Sequence, residues 1–436
     1  MRRTLASIAY IIALAARSAT CKAVFARFMV VNSQSFDSDQ WKAEISSAQS
    51  IGIQGFALNI GNDTDYQPQQ IATAYSVAEP LGFKLLLSLD FTYAWNTSSM
   101  ASLISAHANS TSMYRWNDDV LVSTFGGDDN GHPDSFWADL KSTLSSTGVT
   151  ISLAPAFTTY RNPNSTQSLL DTYKSIDGFF NYWSWPQDVN QTLTTDTDLA
   201  YQAAINTSRS GPYMMSVSPW QFKNLGSSGG DPTNDWIELS DTLIKYRWEQ
   251  AISEVHPDIV QIVSWNDYAE SHYIAGLNQK VAMDPAAHAY VDGKQHTPWQ
   301  IVMQHYISWY LNGTEPAVTK DQIVVWYRLH PKTSVCKTPS YPRNAAFPAD
   351  AVFALALLTS PATVTMDIGL GNHFEWQAPT GASLGQVPFP AQDDQIPFLE
   401  IVRDGQTVTK GYGSANWSKL CDTYDFNPFV DIIPNM

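Results

Sequence analysis

The stretch KLLLSLDF, residues 84–91, is apolar almost without interruption and ends beside an acid, Asp90. Such a run is typical of a parallel β-strand that is covered on both faces. Seven similar runs occur along the chain, separated by segments long enough for a helix. They are AVFARFMVV (from residue 23), GFALNIG (55), DVLVSTFGG (119), TISLAPAF (150), GFFNYWSW (178), PYMMSVSPW (212) and DIVQIVSWND (258).

The segments between these runs favour helices. In FDSDQWKAEISSAQSIG, residues 36–52, Ser38 and Asp39 are candidate N-caps, Trp41 and Ile45 follow at helical spacing, and Gly52 ends the pattern. Alternating β and α units over about 290 residues predict an α/β fold of the (β/α)8 TIM-barrel type. A doubly wound open sheet is the structural alternative. No G-x-G-x-x-G follows the first run, so nothing supports a dinucleotide site.

The pattern changes after residue 315. Period-two runs such as QIVVWYRLH (322–330), AVFALALL (351–358) and FLEIVRDG (398–405) alternate with Pro, Gly and Ser clusters, which predicts an antiparallel β-sandwich. We therefore predict a signal peptide (1–21), a catalytic barrel (22–315) and a C-terminal β-sandwich (316–436). Because no low-complexity linker separates the last two, we expect the sandwich to brace the barrel; glycan binding by the sandwich is the alternative.

The N-terminal sequence MRRTLASIAYIIALAARSATC predicts a secretory signal, since two arginines precede an apolar run too short to span a membrane. N-x-S/T sequons, which are surface glycosylation sites in exported proteins, support the same conclusion. They begin at Asn62, Asn96, Asn109, Asn164, Asn190, Asn206, Asn312 and Asn416. We predict a secreted, extracellular glycoprotein, with association to the cell wall as an option.

Two cysteines, Cys336 and Cys421, remain once the predicted signal peptide with Cys21 is removed. In an oxidising compartment they most simply form a disulfide. In a chain-entropy picture, closing a loop of about 85 residues stabilises the fold by about 4 kcal/mol. The alternative is two buried free thiols.

The formal net charge of −16 argues against nucleic acid and anionic membranes as partners, because phosphate binding requires a basic surface. A neutral partner is expected instead. The 15 Trp and 20 Tyr residues suit the stacking of sugar rings, although large cores also use aromatic side chains. We expect a monomer that needs no cofactor.

The carboxyl ends of barrel strands build the active site of this fold. In this chain those positions carry amides, acids and aromatic residues, with scarcely a Lys or Arg, which suits an uncharged, polyhydroxylated substrate. The candidate substrate-binding residues are Asn59, Asp90, Asp128, Asn181, Tyr182, Trp183, Trp185, Trp220, Trp265, Asn266, Tyr268 and His272.

The stretch SWNDYAESHY, residues 264–273, places Asp267 and Glu270 three positions apart at the end of the eighth predicted strand. Glycoside hydrolysis normally uses two carboxyl groups, which stand roughly 6.5–9.5 Å apart in inverting enzymes. The two acids would diverge in a strand and converge in a turn. A solvated acidic loop is the alternative. For the other strand-end acids, Asp90, Asp128 and Asp129, a structural or hydroxyl-binding role is preferred.

Other hydrolytic mechanisms lack their motifs. No G-x-S-x-G is present for a serine esterase, and the nine histidines contain no H-E-x-x-H or similar metal cluster, so no metal is expected. His272 alone more often supports another side chain than binds a metal. Arg27, in the first predicted strand, is expected to form a structural ion pair with a barrel acid.

Six motifs together resemble glycoside hydrolase family 71, the fungal endo-1,3-α-glucanases or mutanases. They are VFARFMVVN (24–32), GIQGFALNIG (52–61), GFKLLLSLDF (82–91), DGFFNYWSWP (177–186), PYMMSVSPW (212–220) and VSWNDYAESHYI (263–274). The likeness runs in order from residue 23 to residue 309. It implies a catalytic (β/α)8 barrel followed by a β-sandwich, and an inverting mechanism whose carboxylates correspond to Asp267 and Glu270.

One position departs from the family pattern, because Arg27 stands where the family usually has His. If that His contacts the glycan, Arg27 changes the subsite. The sequence therefore predicts a secreted, inverting endo-hydrolase of α-1,3-glucan. The alternatives are a non-catalytic barrel that binds cell-wall glycan and a barrel glycosidase that cleaves another glucan linkage.

Overall fold

The computed structural model describes residues 22–128, 131–226, 234–337 and 341–434. The predicted signal peptide and Asp129 lie outside these ranges. The strands before residue 316 are, in chain order, β1 Ala23–Met29, β2 Gly55–Ile60, β3 Lys84–Asp90, β4 Arg115–Trp116, β5 Asp119–Phe125, β6 Ile151–Ala156, β7 Phe179–Asn181, β8 Tyr213–Val217, β9 Phe222–Asn224, β10 Asp235–Ile237 and β11 Ile259–Ile262.

The helices between and after these strands occupy the predicted connecting segments. They are α1 Ser38–Ser50, α2 Tyr66–Leu81, α3 Thr97–His107, α4 Asp134–Ser146, α5 Thr166–Thr172, α6 Asp196–Ser208, α7 Leu243–Gln250, α8 Pro285–Val291 and α9 Trp299–Asn312. The N-cap of α1 is Asp37, whose side chain accepts from the Gln40 amide while Gln40 bonds back to the Asp37 amide. The expected caps, Ser38 and Asp39, are instead the first two residues of the helix. The reciprocal capping box needs Gln40 three positions after the cap, which only Asp37 provides.

Eight strands form one parallel sheet in the order β6-β5-β3-β2-β1-β11-β8-β7, and β4 pairs antiparallel with β5. These eight strands correspond to the eight apolar runs. The two ends of the sheet meet, since the amides of Asp177 and Gly178 both donate to the Leu153 carbonyl at 2.9 and 3.0 Å. A sheet whose ends touch must curl. The α/β class of the predicted fold is confirmed, because the strands of this sheet alternate with helices along the chain.

Both faces of the curled sheet are covered. On β1, Val24, Ala26 and Phe28 pack outward in the large core that includes the helices, whereas Ala23 and Phe25 pack into a separate inner core. Side chains alternate along a strand, so Arg27 continues the inward row of β1 toward its carboxyl end. This alternation decides which strand-end residues can reach the space enclosed by the sheet.

The C-terminal part contains two antiparallel four-stranded sheets whose facing side chains share one hydrophobic core. The strands are β12 Gln322–Tyr327, β13 Ala351–Leu358, β14 Ala362–Asp367, β15 His373–Ala378, β16 Gly381–Pro388, β17 Phe398–Arg403, β18 Gln406–Tyr412 and β19 Phe429–Ile433. The sheet orders are β16-β13-β12-β19 and β15-β14-β17-β18. Antiparallel pairing after residue 316 agrees with the period-two pattern of the sequence.

The two parts of the chain pack directly on each other. Trp326 and Phe353 of the C-terminal sheets belong to the same core as the helices that cover the curled sheet. Trp220 Nε1 donates to the Phe426 carbonyl at 2.9 Å, and Lys294, buried at the junction, pairs with Asp425. The predicted disulfide between Cys336 and Cys421 is present. Among the described residues, every helix is too short or too polar to cross a bilayer.

Candidate active site

A cavity of about 510 Å³ opens at the carboxyl ends of the parallel strands. Inward-facing strand-end residues, the residues that follow β7 and β11, the β9–β10 hairpin and one C-terminal residue all contribute to its wall. The lining residues are Arg27, Met29, Asp90, Thr92, Phe125, Arg161, Tyr182, Trp183, Trp185, Gln187, Asp188, Gln221, Lys223, Trp236, Glu238, Asp267, Glu270 and Arg343. In α/β proteins with parallel sheets, ligands bind at this end of the strands.

Residues 264–273, which we name the acid-pair loop, turn back on themselves directly after β11. Ser264 Oγ accepts from the Asp267 amide at 2.9 Å, and the Ser264 amide donates to the His272 carbonyl at 2.9 Å. This closure brings Asp267 and Glu270 to one side, with an oxygen of each lying within 4.8 Å of the other. The turn thus makes the two acids converge on the cavity.

Three polar groups hold the Glu270 carboxylate. Lys223 Nζ lies 3.1 Å from Oε1, while Gln221 Nε2 and His272 Nε2 lie 3.3 and 3.1 Å from Oε2. Burial alone would raise the pKa of Glu270, but the Lys223 ammonium and the bond to His272 outweigh it and hold the pKa well below its ordinary value. Glu270 is therefore biased toward the anion.

Asp267 has the opposite bias. Burial raises the pKa of Asp267 above its ordinary value; nearby His272 opposes this shift, and the neighbouring Glu270 carboxylate adds to it. The Asp267 carboxyl is held less tightly than that of Glu270, since His272 Nε2 lies 3.8 Å from its Oδ2. Two neighbouring carboxyl groups with opposite pKa shifts are a pattern of acid–base pairs in enzymes.

His272 is fully buried behind the two acids. Its Nδ1 lies 2.9 Å from Ser264 Oγ, and its ring stacks on Trp185 at a centroid distance of 5.5 Å. These contacts fix the ring, so that Nε2 points at Glu270. His272 thus holds the Glu270 carboxylate from behind, and its role in substrate binding stays a prediction.

Asp267, Glu270 and His272 also offer ligand atoms close enough together to hold a cation. Lys223 already supplies a positive charge 3.1 Å from Glu270, which disfavours a second cation there. In the other such group among the described residues, His330 lies beside Cys336 and Cys421, whose sulfur atoms are used in the disulfide. The expectation of no metal and no cofactor remains a prediction.

Arg27 and Asp90 face each other across the floor of the cavity. Arg27 Nη2 lies 3.7 Å from Asp90 Oδ2, and the guanidinium also donates to the Tyr182 hydroxyl. Asp90 Oδ1 accepts from the Thr92 amide at 3.0 Å and from its hydroxyl at 2.7 Å. Arg27 thus forms an ion pair with a strand-end acid, as the sequence predicts.

The model of glycosyl hydrolase family 71 matches residues 20–436. The chain belongs to this family. The resemblance carried by the six motifs is thereby confirmed, and the protein is a glycoside hydrolase.

Two curated relatives match this hydrolase along most of their length. A mutanase from Penicillium rubens is 31% identical over 94% of this chain and 88% of its own. The glucan endo-1,3-α-glucosidase agn1 of Schizosaccharomyces pombe is 30% identical over 94% of this chain and 95% of its own. Among solved structures, an endo-α-mannosidase of family 99 from Bacteroides thetaiotaomicron has a TM-score of 0.49, with 11% identity, over 66% of this chain and 98% of the other.

Some of the residues predicted to form the site lie together in the cavity wall. The candidate residues that line the cavity are Asp90, Tyr182, Trp183, Trp185, Asp267 and Glu270, with His272 directly behind them. Their roles in binding or catalysis remain predictions. The other candidates, which lie outside the cavity lining, are Asn59, Asp128, Asn181, Trp220, Trp265, Asn266 and Tyr268.

Several of these outlying residues have structural partners instead. Asn181 faces outward from β7 and donates to Asp198 on α6 at 2.8 Å. Trp265 is buried and donates to Glu44 of α1 at 2.7 Å. Asp128 accepts from the amides of Thr158 and Thr159, both at 2.9 Å.

The remaining outlying residues are also buried. Asn266 Oδ1 accepts from the Met29 amide at 2.7 Å, and the Tyr268 hydroxyl donates to the Gly276 carbonyl at 3.0 Å. Trp220 bonds to the C-terminal part, as described above. Asn59 lies buried on β2 and pairs in register with Met29.

Several lining residues were not predicted from the sequence. Gln221 and Lys223 lie a few residues beyond the end of β8, Lys223 within β9, so extending the strand-end search by a few residues would have found them. Trp236 and Glu238 belong to or follow β10, and burial raises the pKa of Glu238 to about 7. Arg343 comes from the C-terminal part, where no local pattern signals a contribution to the cavity.

Proposed function

We propose that this hydrolase cleaves α-1,3-glucan within the polymer, with Asp267 as the proton donor and Glu270 as the base. The observation that carries the proposal is the convergence of these two carboxyl groups, with opposite pKa shifts, on a cavity with aromatic walls. The names of the relatives, a mutanase and a glucan endo-1,3-α-glucosidase, support the choice of substrate.

Each of the two acids takes part in one proton transfer. Asp267, whose raised pKa favours the protonated form, donates its proton to the glycosidic oxygen as the bond from that oxygen to the anomeric carbon breaks. Glu270, kept anionic by Lys223 and His272, accepts a proton from the water whose oxygen attacks the anomeric carbon. Proton exchange with solvent then restores both groups.

We infer inversion at the anomeric carbon, on the strength of the family motif that contains both acids. Each carboxyl carbon lies about 1.2 Å behind its oxygen, so oxygens within 4.8 Å of each other place the two groups at most about 7 Å apart. Inverting enzymes separate their carboxyl groups by roughly 6.5–9.5 Å, and retaining enzymes by roughly 5–5.5 Å. A carboxyl separation of roughly 6.5–7 Å, at the upper end of what these oxygen positions allow, would admit the attacking water.

The deciding experiment is incubation of the purified protein with insoluble α-1,3-glucan, with β-1,3-glucan and α-1,4-glucan in parallel. New reducing ends should accumulate on the α-1,3 polymer, and proton NMR of the first products should show the β-anomer. Retention of the protein on the pellet without new reducing ends would refute the proposal and favour a glycan-binding protein. Faster cleavage of another polymer would refute the linkage, and an initial α-anomer would refute inversion.

We further propose that the curled sheet is a complete (β/α)8 barrel followed by a β-sandwich, and that the protein is exported as a monomer. The hydrogen bonds from Asp177 and Gly178 to Leu153 support closure of the barrel. The disulfide and the exposure of all eight sequon asparagines support export and glycosylation. Mass spectrometry of the secreted protein before and after deglycosylation, with size-exclusion chromatography, tests export, glycans and the monomer.

A further inference from the structure

One wall of the cavity is built by two segments that are distant in sequence. The amide of Ile237 in β10 donates to the Arg343 carbonyl at 3.0 Å, and the amide of Arg343 donates to the Asp235 carbonyl at 2.9 Å. These two bonds fix Arg343, from the C-terminal part, beside Trp236. Both side chains line the cavity.

Trp236 lies one side chain away from the acid pair. It pairs with Lys223 across the β9–β10 hairpin, and Lys223 Nζ lies 3.8 Å from the centre of the indole ring. The same ammonium lies 3.1 Å from Glu270. A sugar unit in contact with Trp236 would therefore adjoin the unit whose bond is cleaved.

Paired charges surround the indole. The Arg343 guanidinium lies 5.3 Å from the ring centre, and its Nε lies 2.9 Å from Asp188 Oδ1. The Asp188 amide in turn donates to the Glu238 carboxyl at 3.0 Å. Because the charges oppose one another, the wall offers both donors and acceptors and favours a neutral, hydroxyl-rich ligand over an ionic one.

We propose that Trp236 and Arg343 form an accessory subsite of the cavity, which binds a glucosyl unit of the polymer beyond the bond that is cleaved. The indole contacts the C–H face of the sugar, and Arg343, whose side chain is 49% exposed at the cavity rim, donates to its hydroxyls. The C-terminal part thus supplies a substrate contact as well as support. This assignment rests on the proposed function for the identity of the sugar.

The test compares Trp236→Ala, Trp236→Phe and Arg343→Ala with a matched control, Asn344→Gly. Asn344 Nδ2 also bonds to Asp188 Oδ1, at 2.6 Å, but its side chain is absent from the cavity lining. Glycine suits its backbone, which has a φ of 65°. The control therefore loosens the same junction without removing a subsite group, and thermal unfolding of every variant checks the fold.

For soluble α-1,3-gluco-oligosaccharides, Trp236→Ala and Arg343→Ala should each raise the KM for long substrates roughly ten-fold, the effect of losing one good contact. The kcat should change little, and the KM for the shortest substrate that is cleaved should not change. Trp236→Phe should keep most of the affinity, and Asn344→Gly should behave like the unaltered protein. An unchanged KM in both Trp236→Ala and Arg343→Ala, or an equal rise in Asn344→Gly, would overturn the proposal.

A binding measurement separates this inference from the proposed function. Calorimetric titration of the same long oligosaccharides into Glu270→Gln should show a roughly ten-fold weaker Kd when Trp236→Ala is added. If Trp236→Ala weakens binding while the unaltered protein cleaves no α-1,3-glucan, the subsite is upheld and the proposed function is refuted. If the unaltered protein cleaves the glucan while Trp236→Ala leaves the Kd unchanged, the function is upheld and the subsite is refuted. If the unaltered protein cleaves no glucan and Glu270→Gln binds no oligosaccharide, both are refuted.

Discussion

Single side chains decide the chemistry of the cavity, and the two acids are the first to test. Asp267→Asn and Glu270→Gln keep nearly the same shape but remove a proton donor or acceptor. Because general acid–base assistance contributes about 10²–10⁴-fold, each change should lower kcat on α-1,3-glucan by at least two orders of magnitude while binding to the polymer persists. The double variant should lose little more than either single one, since both groups act in one transition state of the proposed reaction.

Asp128→Asn is the control for these variants, because Asp128 lies outside the cavity lining and accepts from the amides of Thr158 and Thr159 and from the Thr159 hydroxyl. Its kcat should stay within a factor of a few of the unaltered protein. Suppose that Glu270→Gln retained more than about a tenth of the turnover of the unaltered protein while Asp90→Asn had no turnover. The acid pair would then be misassigned and would include Asp90.

Lys223 should set the acid side of the pH profile. Its ammonium helps to hold the pKa of Glu270 below the ordinary value, and the base must be anionic to act. Lys223→Met should therefore raise the pKa of Glu270 and move the acidic limb of kcat/KM to higher pH. Measurement of kcat/KM against pH on a soluble oligosaccharide tests this shift.

Lys245→Met provides the matched control, since it removes a lysine whose partner is Glu249, at 2.6 Å on the exposed side of α7. Its pH profile should coincide with that of the unaltered protein. An acidic limb that stays in place in Lys223→Met would show that His272 and Gln221 alone control Glu270.

At the scale of strands and loops, the disulfide between Cys336 and Cys421 joins the segment after β12 to the segment before β19. Replacing both residues with Ala frees the unfolded chain, so the free energy of unfolding should fall by about 4 kcal/mol. The kcat of the folded fraction should not change, because neither cysteine lines the cavity. Chemical denaturation and an activity assay measure the two quantities, and an unchanged free energy of unfolding would contradict the expectation.

The strands were predictable from the sequence because a buried parallel strand needs a run of apolar residues on both faces. The short strands β9 and β10 were not, since three residues such as Phe222, Lys223 and Asn224 carry no periodic signal. The missed C-terminal strands include β15. Its residues are mostly exposed or half-buried and polar at several positions, so they form no apolar run.

The candidate site was predictable only in part, because strand ends alone do not say which way a side chain points. Alternation does so for β7, where Phe180 and Tyr182 point inward and Asn181 points to α6. In the acid-pair loop the alternation ends, so burial of Trp265 and Tyr268 behind the acids could not be derived from spacing. Lys223, Trp236 and Arg343 depend on tertiary contacts between distant segments.

At the scale of the whole molecule, the largest of its hydrophobic cores spans the two parts of the chain. Trp326, Phe353 and Phe426 of the C-terminal part pack in the same core as the helices that cover the curled sheet. A chain that contains residues 22–315 alone would expose this apolar surface, so it should be insoluble or unfold at a lower temperature than residues 22–436. Soluble yield and thermal unfolding of the two proteins test this expectation. A stable, active fragment would show that the C-terminal part adds only binding.

The packing behind the acid-pair loop has a consequence for when the enzyme becomes active. Tyr290 donates to the Ala269 carbonyl at 2.7 Å, and the Tyr290 carbonyl accepts from Asn427 at 2.9 Å. His296 bridges the Tyr273 and Pro428 carbonyls, at 3.1 Å each. A ribosome makes Asn427 and Pro428 long after Asp267 and Glu270, so a nascent chain carries both acids before it has the residues that brace them. We therefore expect the acid-pair loop to reach its braced conformation only after this segment has been translated.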